Sequence, residues 1–583
     1  MKMTILQKRL LIIGGIIVGV IIVAVFIVNQ YMASIIRGKI DAALNENKTG
    51  YKVTLDKVGG NILFGNIRLK GLTITPDSSM LEDLKKGTAA AAFVPSADIP
   101  LFRIVGLDVY SAIVHGEIDL KRIEFKSASI TLYKGKNPDK SKKEAGDQQA
   151  FNPDSIFIKG LNGIYLGEID FIHCKLDVID GTSDKKLFST GNMNLTLSMI
   201  DVLKYKDQPN VFKLDLSKFK MEINSDGILL PGGWYNLSLK SLLYDRAAKI
   251  MEINGLGLHP TYHDKYKMAK ALKYTKEMFD LDVDEIYIRS FDIKLLTENN
   301  SILIDSIGIS GLNLKMLKDK RFPFDKTLRP KLPNQTLKSM KMPLYIRTVN
   351  IINGNLVYQE KMPDVKELMT ASLGKLNVSI RFITSIRDSL RTGKPMKIAL
   401  RANLMKRAPF AIDFVMPLNK TVDTFYFAGS LGAAKMKVFN QAAFPAIGIK
   451  FIKGRLNKLT FKGSANDRVS TGQMTLLYKD LEATVVKKDK VSKSKFLSWA
   501  ANSFMRKSNP GKNGKTRVVQ MGYDRDMYKG FGNFMWKTLM IGLVNTISPA
   551  GKSVKKEEKA SKSSKRTKPN KKQSQKKQKK KKK

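Results

Sequence analysis

The chain has 583 residues and carries 101 Lys and Arg against 52 Asp and Glu, a formal net charge of +49. Such a surplus points to polyanionic partners, from nucleic acid to anionic lipid headgroups or lipopolysaccharide, while a 43% hydrophobic fraction still lets the body bury a core. One cysteine, Cys174, excludes intrachain disulfides and Cys-based metal cages; with only four histidines (His115, His173, His259, His263), composition argues against a metalloenzyme.

Residues 10–28 form an apolar run of nineteen positions without a charge. At about 1.5 Å per residue it spans roughly 28 Å, close to the ~30 Å hydrocarbon core of a bilayer. Lys2, Lys8 and Arg9 precede it, which favours a cytoplasmic N-terminus. A cleaved signal peptide is the competing reading, but the run is long and no Ala-x-Ala site follows. Between 30 and 46, Met32, Ile35, Ile36, Ile40 and Leu44 recur at helical spacing and extend the helix outward. Residues 1–50 thus read as a cytoplasmic N-terminus, a transmembrane helix and its extension. The rest is expected outside the cytoplasm.

From about Tyr51 the period changes to two. Ile67, Leu69, Leu72 and Ile74 are apolar at i, i+2, i+5 and i+7, and so are Ile118, Leu120, Ile123 and Phe125. The spacing returns at Ile169, Phe171, Cys174 and Leu176, at Ile286, Ile288, Phe291 and Ile293, at Ile302, Ile304, Ile307 and Ile309, and at Leu344, Ile346, Val349 and Ile351. Alternation puts i and i+2 on one face, and the three-residue step would flip the next pair. A bulge at the step restores a single apolar face and bends the strand. Many such strands predict an elongated, curled antiparallel sheet with one apolar inner face; an ordinary β-sandwich, with a second sheet over that face, fits the alternation equally well.

Helical signal in the body is limited to 264–279, with Met268, Ala271, Leu272, Thr275 and Phe279 along one flank, and to a short stretch at Ser78–Lys86. Polar and proline-rich composition predicts loops at 137–154 and 318–341, the second dividing an N-terminal β segment (51–320) from a C-terminal one (343–490). Residues 496–550 read as a helical region, comprising 496–510 and 527–547. In the latter Trp536, Leu539, Met540, Leu543, Val544 and Ile547 form a stripe, either for a membrane interface or to cap the end of the sheet. The tail, 551–583, has seventeen Lys and Arg against Glu557 and Glu558 and reads as disordered. Outside the cytoplasm its available polyanion is anionic lipid or lipopolysaccharide, nucleic acid being unlikely there; a solubilising appendage is the bland alternative.

Catalytic signatures are wanting. Gly514-Lys515-Thr516 lacks the earlier glycine of a phosphate loop, and Ser492 with Lys495 sits in a lysine-rich linker. His259 and His263 flank Pro260 and read as a surface loop, while Cys174 fills a core slot of the strand spacing. No catalytic, cofactor or metal residue is predicted, and the chain reads as non-enzymatic.

Several stretches nevertheless resemble a known family. They are Gly60-Asn-Ile-Leu-Phe-Gly-Asn-Ile-Arg-Leu-Lys-Gly-Leu-Thr-Ile74, Ala97-Asp-Ile-Pro-Leu-Phe-Arg-Ile-Val-Gly106 and Gly116-Glu-Ile-Asp-Leu-Lys-Arg-Ile-Glu-Phe125. Pro343-Leu-Tyr-Ile-Arg-Thr-Val-Asn-Ile-Ile-Asn-Gly-Asn-Leu-Val-Tyr-Gln-Glu360 and Gly472-Gln-Met-Thr-Leu-Leu-Tyr-Lys-Asp-Leu481 continue the series. With the N-terminal anchor, this resembles the AsmA-like envelope proteins (AsmA/TamB-related), over most of residues 1–550. The resemblance implies an inner-membrane, single-pass protein whose periplasmic body is a taco-shaped sheet with a groove for phospholipid acyl chains. It further implies help with phospholipid transport toward the outer membrane, 51–320 and 343–490 being two AsmA-like β segments. Groove candidates are Ile67, Leu69, Ile118, Leu120, Ile169, Phe171, Ile286, Ile288, Leu344 and Ile346. The chain is shorter than such a bridge, and the lysine tail is no part of the family pattern. A non-enzymatic assembly or structural factor for outer-membrane protein biogenesis is the alternative, and an open rather than closed apolar face is what separates the two.

Overall fold

The computed structural model describes residues 50–86, 93–115, 117–135, 163–204, 212–215, 218–363, 365–387, 393–420, 422–485 and 505–549, with Gln30, Ser34, Arg37 and Gly38, all four helical, ahead of them. The apolar run 10–28, the loop 137–154, residues 496–504 and the tail 551–583 lie outside the described residues. Among those described, no helix is long and apolar enough to cross a membrane. The protein is mainly β with a few short helices. Its packing divides it into two units, Met1–Lys265 with Phe279–Asn299 and Leu303–Ser310, and Tyr266–Met278 with Asn300–Ile302 and Gly311–Lys583.

The first unit begins with β1 (Tyr51–Thr54), β2 (Lys57–Gly59), β3 (Ile67–Pro76), β4 (Phe93–Leu107), β5 (Glu117–Lys126) and β6 (Ser129–Lys134). It continues through β7 (Gly163–Asp180), β8 (Lys186–Thr190), β9 (Met193–Lys204), β10 (Phe212–Asp215) and β11 (Lys220–Leu229). Then come β12 (Tyr235–Asp245), β13 (Ile250–Pro260), β14 (Glu277–Arg289) and β15 (Ile302–Ser310). Helices α1 (Ser78–Lys86) and α2 (Val109–Val114) interrupt the strands, and α1 forms where it is expected. β5 and β6 both pair with β4 and make one long strand, jointed at Ser127 with φ +56°.

The expected all-antiparallel sheet needs correction at two places. β5 and β6 run parallel to β7, and in the second unit β16 (Asn313–Asp319) runs parallel to β17 (Leu344–Lys361). A parallel pair needs a connection long enough to bring the chain back to its starting end. Residues 135–162 and 320–343 are those connections, and they contain most of the two stretches whose composition predicts loops. The second is not loop throughout: β16 ends within 318–341, and α5 (Pro333–Ser339) lies inside it.

The three-residue steps are built as the alternation predicts. Gly71 (φ +63°) and His173 (φ +54°) sit inside two of them in the left-handed region, flipping the pleat once so that the next pair returns to the same face. At β5 the step falls opposite Gly106 (φ +70°), where an added Cβ would stand 2.8 Å from the Lys121 Cβ. The copy at Ile286 is right only in its first half. β14 ends at Arg289, and Ile293 opens α4 (Ile293–Asn299); the spacing sits five residues earlier, at Leu281, Val283, Ile286 and Ile288. The helix expected over 264–279 is likewise reduced to α3 (Lys267–Leu272), because Lys273 turns left-handed and β14 takes the chain from Glu277.

The second unit adds β18 (Met369–Thr384), β19 (Met396–Leu404), β20 (Ala408–Met416), β21 (Phe425–Leu431), β22 (Ala434–Lys435), β23 (Ile449–Ala465), β24 (Val469–Val485) and β25 (Val518–Asp524). Its helices are α3, α5, α6 (Asn440–Ile447) and α7 (Phe531–Ile547). Here lies a closed core: Met396, Phe414, Met416, Phe425, Phe427, Leu456, Phe461, Met474, Val519 and Met521 pack with Phe534, Met535 and Ile547 of α7. The helical reading of 496–550 is therefore corrected for its described part, 505–549: β25 is a strand paired with β24, and helix begins there at Phe531. Of its two readings the capping helix is the one found, with Leu539, Leu543 and Ile547 of the expected stripe against the core and the most buried side turned away from Trp536. Phe534, Met535, Thr538, Gly542 and Thr546 face the sheet, while Trp536 is 49% exposed. Thr538 Oγ1 shares a buried 2.6 Å hydrogen bond with Ser470 Oγ. At the other end Arg517 donates to the Asn545 carbonyl and Arg506 to those of Ser548 and Pro549, cations placed where the helix dipole is negative.

Candidate functional site

Ten strands of the first unit are neighbours in the order β3, β4, β5, β7, β9, β11, β12, β13, β14, β15, and their registers align apolar residues into rungs across them. One rung is Leu69, Phe102, Phe125, Phe171, Leu195, Ile223, Leu242, Ile253, Ile286 and Ile309, each opposite the next. The adjacent rung is Ile67, Ile104, Ile123, Ile169, Leu197, Met221, Tyr244, Met251, Ile288 and Ile307. At roughly 4.8 Å between strands, nine steps carry this double stripe about 43 Å along the sheet, longer than the ~30 Å hydrocarbon core of a bilayer. In the first rung Phe102 and Phe125 meet edge to face at 5.0 Å, and Phe125 and Phe171 stack at 4.7 Å.

What covers the stripe decides what it can do. Of its twenty residues only Tyr244 is buried, beneath the start of α4, whose Ile293 N–H donates to the Tyr244 hydroxyl. The others remain half-buried. A closed sandwich would hide such residues, as the second unit hides Phe414, Phe425 and Phe461. Apolar side chains left partly wet over this length form a surface suited to another apolar body, and to no acid–base or metal chemistry.

The opposite face is charged. Arg68, Arg103, Glu124, Asp170, Thr196 and Glu222 form the matching rung. Arg103 pairs with Glu124 at 3.0 Å, Arg122 with Glu168 at 2.6 Å and with Asp170 at 3.2 Å, and Thr196 donates to Asp170 at 2.7 Å. The sheet is thus amphipathic, its polar side knitted by ion pairs and its apolar side open.

Of the groove candidates, Ile67, Leu69, Ile169, Phe171, Ile286 and Ile288 lie on the two rungs. Ile118 and Leu120 lie farther along β5, opposite Ile164 and Leu166, and Leu120 is buried. Leu344 and Ile346 belong to the second unit, where Leu344 packs against the closed core and Ile346 pairs with Ile383. Those two are not on the open face. Phe102, Leu195, Leu197, Met221, Ile223, Leu242, Met251 and Ile253 are further members, and the same spacing marks several of them. It runs through Leu195, Leu197, Ile200 and Val202 on β9, Leu237, Leu239, Leu242 and Tyr244 on β12, and Met251, Ile253, Leu256 and Leu258 on β13, with Met199 (φ +58°) and Gly255 (φ +59°) left-handed inside two of the steps.

Two polar features need placing. His259 is not in a loop but in β13, opposite Asn236 on the polar face. Its Nδ1 lies 2.8 Å from Asp280 and its Nε2 3.4 Å from Asp282, and donor atoms of the three residues lie within 4.8 Å of one another. Cys174 is buried among Ile99, Ala128 and Phe171, where burial pushes its thiol pKa up and its Sγ meets the Phe125 carbonyl at 3.4 Å. A thiol held protonated in an apolar slot is a core residue. No protein-family model and no curated protein sequence matches the chain.

Proposed function

We propose that this chain is a membrane-anchored envelope protein that holds phospholipid acyl chains against the open face of its first unit. In that role it assists phospholipid transport between the inner and outer membranes. The observation that carries the reading is the double apolar stripe: twenty aligned side chains, nineteen of them half-buried, with no second layer among the described residues to take their place. The resemblance to AsmA-like proteins and the apolar run at 10–28 support the same assignment, the run as anchor and the body in the periplasm. The basic tail then serves as a contact for anionic lipid.

Photo-crosslinking in intact cells tests it. A photoreactive residue at Phe171, Leu195, Ile253 or Ile286 should capture phospholipid, and one at Asp170, Thr196 or Glu252, on the charged face, should not. Capture of protein at the first set with no lipid adduct would replace the lipid reading with that of an assembly factor.

A further inference from the structure

One end of the second unit's sheet gathers four connections. The β20–β21 loop (417–424), the β23–β24 turn (466–468), the β25–α7 loop (525–530) and the stretch 322–331 meet there. Their adjacency is recorded in bonds: Arg525 N–H donates to the Arg468 carbonyl and its guanidinium to that of Pro330. The Arg329 guanidinium lies 5.6 Å over the Tyr528 ring. Lys338, on α5, reaches the Lys420 carbonyl at 2.6 Å and Asp423 at 2.7 Å.

This end is apolar at its tips and basic around them. Leu328, Val422, Val469, Met527 and Tyr528 are all exposed, Val422 at 55% and Leu328 at 49%. The four segments carry seven basic side chains (Lys326, Arg329, Lys331, Lys420, Arg468, Arg525, Lys529) against four acidic ones. The acids are engaged locally. Asp423 takes Lys338 and Gln335, Asp526 takes Lys529, Asp467 lies 4.0 Å from Arg468, and the Asp325 carboxylate accepts from the Thr327 N–H. Lys326, Arg329, Lys331, Lys420 and Arg468 stand exposed.

We infer that this end docks on a bilayer bearing anionic headgroups, with Leu328, Val422, Met527 and Tyr528 entering the interface while the surrounding Lys and Arg meet lipid phosphates. The charge complements a phosphate-bearing surface, and the exposed tips distinguish a bilayer from nucleic acid, which offers aliphatic side chains no apolar interior. Tyr528, with an apolar ring and a polar hydroxyl, suits the headgroup depth. The inference does not rest on the acyl-chain reading, since it concerns other residues in the other unit.

The test reads these loops locally, so that neither the basic tail nor residues 10–28 can imitate the result. The full chain is held in neutral nanodiscs in a Cys174→Ser background, with an environment-sensitive fluorophore on Leu328→Cys or Met527→Cys. Lys458→Cys, exposed on β23, is the control. Added vesicles of mixed phosphatidylglycerol and phosphatidylcholine should shift the first two labels to the blue, nitroxide-bearing lipid should quench them, and the control should not respond. Reversing Lys326, Arg329 and Lys331 to Glu should weaken the response at Met527→Cys about a hundredfold or more at low salt. Labels that stay in water while vesicles co-sediment would overturn the inference. So would labels that answer equally to pure phosphatidylcholine, or to a duplex oligonucleotide alone.

Discussion

Asp177 shows how the polar face is held at single residues. Burial alone would raise its pKa, but the Ser189 hydroxyl and the Lys175 and Lys186 ammoniums, at 3.0 and 3.1 Å, more than offset this and hold the carboxyl below the usual range. A carboxyl whose folded pKa lies below its unfolded value of about 3.9 adds stability that is fully present above that pH and lost as pH falls through the folded value. Asp177→Asn should therefore cost about 1–2 kcal/mol at pH 7 and much less at pH 2–3, read by urea denaturation at each pH. An equal cost at both would mean that the charge is idle. The composition around Asp177 gives no hint of this trio, because Ser189 and Lys186 arrive from the neighbouring strand β8. Reciprocal pairs in the second unit were half-legible. Phe427-x-Gly429 and Phe461-x-Gly463 repeat a motif in the sequence, but only the register lays Phe461 opposite Gly429 and Phe427 opposite Gly463. An added Cβ on Gly429 would run into the Phe461 ring and stand 2.6 Å from the Ala411 carbonyl oxygen.

At the scale of elements, the three-residue step was the legible signal, since a left-handed residue or bulge must restore the face whenever alternation slips. Leu195 and Ile253 carry the same mark, in Leu195, Leu197, Ile200 and Val202 and in Met251, Ile253, Leu256 and Leu258, so their strands were as legible as the six whose spacing predicts the sheet. Alternation also cannot say whether a face is covered, because half-buried and fully buried residues obey the same period. The two units separate these cases. Leu195, on the open stripe, and Phe414, in the closed core beneath α7, are both apolar strand residues. Leu195→Asn should cost only about 1 kcal/mol, because its amide can still reach water. Phe414→Asn should cost about 3–5 kcal/mol, through the cavity and the stranded polar group. Urea denaturation of each variant checks this, and a comparable loss for both would mean that the first unit's face is covered after all. The buried side of α7 shows the same limit. Its sequence is apolar on several flanks, so a stripe through Trp536 was as plausible as the one found through Phe534, Thr538 and Gly542.

Across the whole chain the apolar material is unevenly spent. Among the described residues the large buried cluster belongs to the second unit, whereas the first unit has two small ones, around Val58 and Ile62 and around Ile99, Ala128 and Cys174. A sheet with little buried core gains less from the hydrophobic effect per ordered residue, so the first unit should open more readily. It also has more to gain from a ligand, since anything that binds the folded face stabilises it by mass action. At a free concentration about a hundred times its dissociation constant the gain is ~2.7 kcal/mol, close to a hundredfold slowing of exchange through opening. Phospholipid in short-chain micelles should therefore slow backbone hydrogen exchange in β9, β13 and β14 of the full chain by up to that factor. Exchange in β23 and β24, beneath their own core, should stay as it was. Equal slowing in both units would point to general detergent-like stabilisation, and no slowing in either would leave the stripe without a lipid.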